Sequence, residues 1–109
     1  MRVPQREELA PLCDALKEML VFLKQSKKAK RPYFCRFLDA MQNNIEIGMH
    51  FKLEDTEGLG KVLVRDWSAA NDKLTGIPDY CILLETEEKN REEIAYFISL
   101  TEKVGKFFK

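Results

Sequence analysis

The chain has 109 residues, of which 18 are Lys or Arg and 18 are Asp or Glu, so its formal charge at neutral pH is zero. That length implies a single domain, 1–109, with a core that needs neither disulfide nor metal staples. The charge balance excludes a molecule that draws nucleic acid through its net field. The longest apolar run, Met19 to Leu23, is far too short to cross a bilayer, and the first residues lack the apolar stretch of a secretory leader. The expectation is no membrane association and a cytoplasmic location, or a nuclear one if the source has a nucleus.

Leu9, Leu12, Cys13, Leu16, Met19, Leu20 and Leu23 recur at three- and four-residue steps, which is one face of an amphipathic helix. Glu7 and Glu8 suit its first turn, and the lysines after Leu23 suit its last. Pro11 constrains the start. Inside a helix it removes a donor and clashes with the preceding turn, whereas in the first turn it is harmless. Either the main helix begins near Pro11 or a short preceding turn kinks there. Pro32 opens a second helix with Phe34, Phe37, Leu38 and Met41 on one face. Asn43 and Asn44, which tolerate left-handed backbone, are its expected terminators.

From Ile45 to Glu54 every odd position is apolar and every even one is polar or Gly. This two-residue period predicts a half-buried strand. The turn-rich segment Asp55 to Gly60 and the Val- and Trp-containing run Lys61 to Trp67 extend it into a hairpin. Ser68 to Leu74 reads as a helical turn capped by Ser68, and Thr75 to Pro78 as a loop. The short apolar run Tyr80 to Leu84 reads as a buried third strand. Asn90 with Glu93 three residues later resembles a capping box. It starts a final helix, 91–108, with Ile94, Phe97, Ile98, Thr101, Val104 and Phe108 on one face and Tyr96, Leu100 and Phe107 on a flank.

The expected fold class is therefore α+β: a three-stranded, mostly antiparallel sheet with two N-terminal helices and one C-terminal helix. The alternative is an all-α four-helix bundle. Leu38, Met41, Ile45, Gly48 and Lys52 keep a rough helical register, and Leu59, Leu63, Trp67, Ala70 and Leu74 keep a better one. The unbroken alternation at 45–54 favours the sheet.

No set of residues converges on a catalytic, cofactor or metal site. Cys13, Cys35 and Cys81 are widely spaced beside apolar neighbours, as buried reduced thiols are, and a lone histidine, His50, completes no metal set. Gly58-Leu-Gly60-Lys61 lacks the length and ending of a phosphate-binding loop. His50, Asp66 and Ser68 lack the context of a nucleophile elbow. Pro78-Asp79 followed by Glu85 loosely resembles the core of metal-dependent nucleases, but Glu87 stands where the lysine of that pattern belongs. On a straight strand the two carboxylates would also lie about 20 Å apart.

Two features suit partners. Lys27, Lys28, Lys30, Arg31 and Arg36, beside Tyr33 and Phe34, are candidate contacts to nucleic acid, combining phosphate neutralisation with base stacking. Tyr96, Leu100 and Phe107 supply more apolar surface than one helix stripe requires, a candidate protein interface. The functional expectation is a small non-enzymatic interaction or regulatory module that self-associates or binds a protein partner, with no cofactor. A nucleic-acid-binding accessory protein is the alternative, and a metal-dependent hydrolase using Asp79 and Glu85 a remote one.

Overall fold

In a computed structural model, which describes residues 1–25, 32–51, 54–86 and 91–109 (for 83–86 the backbone alone), every regular element is helical. The described elements are α1 (Leu9–Gln25), α2 (Cys35–His50), α3 (Thr56–Ala70), α4 (Ile77–Thr86) and α5 (Arg91–Gly105). Short 3-10 turns at Arg6–Glu8 and Lys106–Phe108 flank them. The α+β expectation is thus overturned, and the arrangement is all-α.

The first expected strand fails for a clear physical reason. A helix buries only every third or fourth residue, and in α2 those are Leu38, Met41, Ile45 and Gly48. Ile47, Met49 and Phe51 are apolar but exposed. This second set, laid over the buried one, creates the two-residue alternation without any sheet. Asn43 and Asn44 are interior residues of α2 rather than its end. The expected hairpin loop is the start of α3, where the Asp55 carboxylate accepts a hydrogen bond from the Gly58 N–H at 2.8 Å and caps the helix. The second expected strand is α3 itself, with Gly60, Leu63, Trp67 and Ala70 buried at helical spacing. Ser68 lies inside it rather than capping a turn. The expected third strand is part of α4, whose Ile77 and Tyr80 are buried.

The N-terminal expectation is sharpened. The 3-10 turn at Arg6–Glu8 precedes α1 and leaves Pro11 in the first turn, where a missing N–H costs no intrahelical bond. Asn90 of the expected capping box lies outside the described residues.

α1 has neighbours on two flanks. Lys17 pairs with Glu46 of α2 at 3.1 Å, and Glu18 pairs with Lys103 of α5 at 3.0 Å. Phe22 meets both Tyr96 and Phe97, which makes α5 antiparallel to α1. α3 packs on α2, and its Trp67 stacks on Phe108 with centroids 5.7 Å apart. Phe34, Tyr80 and Phe97 form an aromatic cluster that ties the start of α2, α4 and α5 together. The N-terminal segment crosses α3 closely enough that a Cβ on Gly60 would fall 2.2 Å from Val3 Cγ1. That segment also holds the chain's other end: the Arg2 backbone N–H donates to Phe108 O, and its guanidinium to Phe107 O, both at 3.0 Å.

Candidate interaction surfaces

The end of α2 carries the most exposed aromatic side chain of the described residues. Phe51 is 71% exposed and Ile47, one helical turn before it, 53%. Residues four apart are neighbours on a helix surface. The His50 ring stands edge-on to Phe51, with centroids 4.9 Å apart. Close by, the start of α1, the end of α2 and the start of α3 converge on an open cleft of about 390 Å³, lined by Arg6, Leu9, Ala10, Gly48, Met49, Thr56 and Leu59. Gly48 contributes no side chain there, which leaves the hollow unfilled.

The flank expected on α5 divides. Leu100 and Phe107 belong to the core, and of the three candidates Tyr96 alone is exposed, with its ring 5.7 Å from that of Phe22. The buried register of α5 is Phe97, Leu100 and Val104, while Ile98, expected on the buried face, is exposed.

Of the candidate nucleic-acid contacts, Lys27, Lys28, Lys30 and Arg31 lie outside the described residues. Arg36 is exposed, and its guanidinium carbon sits 4.1 Å from the centroid of the Tyr33 ring. Tyr33 in turn meets Phe37 edge-on at 5.9 Å. Pro32, Tyr33, Cys35, Arg36 and Asp39 line a second open cleft of about 390 Å³.

The groups considered for catalysis are not brought together. Asp79 is exposed in the first turn of α4. Glu85 falls six residues later on the same helix, about 240° around the axis. Ser68 lies twelve residues, about 18 Å, along α3 from its start, where the chain arrives from His50. Its hydroxyl meets Met1 Sδ at 3.6 Å. No group of three or more His, Cys, Asp or Glu side chains able to hold a metal occurs among the described residues.

The perturbed titratable groups belong to structural ties. Burial pushes the Cys13 thiol up. A hydrogen bond from Lys17 and another from Gln42 pull the Glu46 carboxyl down, and the Leu74 and Thr75 N–H groups do the same to Asp72. Asp66 is the buried charged residue of the described core. Arg65 Nη2 is 3.5 Å from its Oδ1, and its Oδ2 has no hydrogen-bond partner among the described residues.

Comparison with known proteins finds no family model, curated protein or solved structure that matches the chain. No described helix is long and apolar enough to cross a membrane. The surface at the end of α2 was hidden from sequence reasoning by its assignment to a strand. The signal that marks it is the excess of apolar residues over what one buried helical face can hold.

Proposed function

We propose that the protein is a non-enzymatic interaction module that self-associates through the end of α2. The observation that carries this reading is the exposure of Phe51 and Ile47 side by side on a helix whose buried face is already complete without them. Apolar side chains grouped on a surface favour association, because burying them against a partner removes them from water. A second copy is the favoured occupant, since the same end of the molecule offers both a projecting ring, Phe51, and a cleft floored in part by Gly48. A two-fold interface needs such self-complementarity within one patch.

Sedimentation velocity from micromolar to hundreds of micromolar tests it. The expected result is a concentration-dependent monomer–dimer equilibrium that Phe51→Ser combined with Ile47→Ser abolishes, with the helical circular dichroism unchanged. A strict monomer across that range overturns the reading, and so does a dimer that the double variant leaves intact.

A further inference from the structure

Arg36 is fixed differently from the salt-bridged cations of the molecule. Arg2, Lys17, Lys61 and Lys103 each lie within ion-pair distance of a carboxylate from elsewhere on the chain. Arg36 is held instead by an aromatic ring, with its guanidinium over Tyr33, and no carboxylate among the described residues pairs with it. A guanidinium stacked on a ring keeps its charge and its in-plane N–H fork, and its second face remains planar and weakly hydrated. Tyr33 itself is 55% exposed. Between Lys24 and Arg36 the sequence holds six cations and no acidic residue. Asp39 is the acidic residue that lines the cleft beside the pair.

We infer that Tyr33 and Arg36, at the start of α2, form a docking point for single-stranded nucleic acid. A base stacks on the Tyr33–Arg36 pair, and a neighbouring phosphate accepts from the guanidinium N–H groups. Stacking platforms beside a cationic tract are how single strands are held without sequence preference, because every base has a π face. The site lies at the opposite end of α2 from the self-association surface, about 20 Å away along the helix, so the two functions test separately.

The experiment is fluorescence anisotropy with a labelled twelve-residue oligouridylate and, in parallel, oligothymidylate. Raising salt from 50 to 200 mM should weaken binding by on the order of 100-fold if about five phosphates are neutralised. Tyr33→Ala and Arg36→Ala should each weaken it by about 10-fold, with Tyr33→Phe close to wild type. Circular dichroism establishes that each variant folds. Absence of binding at 50 mM salt overturns the inference. Binding that Tyr33→Ala leaves unchanged also overturns it, as does equal affinity for inorganic polyphosphate or phosphatidylserine vesicles, since each of these describes a bare polyanion surface with no role for the ring.

Discussion

α1 and α2 are neighbours of nearly equal length, 17 and 16 residues, yet they dispose of their apolar side chains in opposite ways. α1 buries Leu9, Leu12, Cys13, Ala15, Leu16, Met19, Leu20 and Leu23, and Val21 is the one large apolar side chain it exposes. α2 buries Cys35, Leu38, Met41 and Ile45 over its first three turns, then exposes Ile47, Met49 and, just past its end, Phe51. The need to fill a core accounts for the apolar pattern of α1 apart from Val21. It accounts for the first three turns of α2 and leaves the last unexplained. Apolar groups exposed at a surface contribute little to folding and favour association, which is why the proposed self-association surface is placed there.

The sharpest way to break the comparison is to remove the same kind of side chain from each helix. Leu16 has no exposure at all. Leu16→Ala should destabilise by about 2–5 kcal/mol, from lost burial and the cavity left behind. Ile47→Ala should change stability by no more than about 0.5 kcal/mol, as surface substitutions do. Urea denaturation followed by circular dichroism measures both. Comparable losses at the two sites would mean that the last turn of α2 is part of the core after all.

A smaller effect is expected where burial works against the fold. Asp66 lies on the buried stripe of α3 between Leu63 and Ala70, with one carboxylate oxygen lacking a hydrogen-bond partner among the described residues. A buried polar atom without a partner costs free energy that water supplied in the unfolded chain. Asp66→Ala removes that cost and improves helix propensity, so it should stabilise by about 1–2 kcal/mol in the same assay. A loss of stability would show that the exposed Arg65 guanidinium, 3.5 Å away, compensates the charge more fully than the distance implies.

The same contrast explains what could be read from sequence. α1 was legible because its apolar residues follow one period, and the buried set matches Leu9 to Leu23 as spaced. The register from Leu59 through Leu63 and Trp67 to Ala70 was equally present, and it is the one α3 uses. It was outweighed by the alternation at 45–54, where, up to the end of α2 at His50, an exposed apolar set is laid over the buried one and their sum mimics the period of a strand. On α5, Leu100 was placed on a flank although it falls three residues after Phe97 and four before Val104, the spacing of the buried face. The Tyr33–Arg36 stack was legible only as a basic stretch beside aromatics. Which cation settles on which ring depends on where α2 begins, and that is fixed by the packing of Phe34 against Tyr80 and Phe97.

The smallest expected effect concerns the polar edge of the α1–α2 seam, where Lys17 meets Glu46 at 3.1 Å. The hydrogen bond from Lys17, then that from Gln42, lowers the Glu46 pKa from its ordinary 4.5. The hydrogen bond to Glu46 is the leading cause that raises Lys17 from 10.5. A lowered carboxylate contributes stability that is present above its unfolded value and is lost as pH falls through the folded one. A raised amine contributes stability that is present below its unfolded value and is lost as pH rises through the folded one. The pair therefore supports the seam fully between about pH 4.5 and 10.5 and fades outside both limits. Both side chains are near half exposed, so solvent screening keeps the contribution small. Thermal melts of the wild type and Glu46→Gln should differ slightly but measurably at pH 7, with the wild type the more stable, and the difference should shrink as pH falls from 4.5 through the lowered pKa of Glu46. A gap that does not shrink at all as pH falls below 4.5 would locate the effect of Glu46 in packing rather than charge, and would carry the fold's hold on α2 closer to its exposed last turn than the contrast with α1 allows.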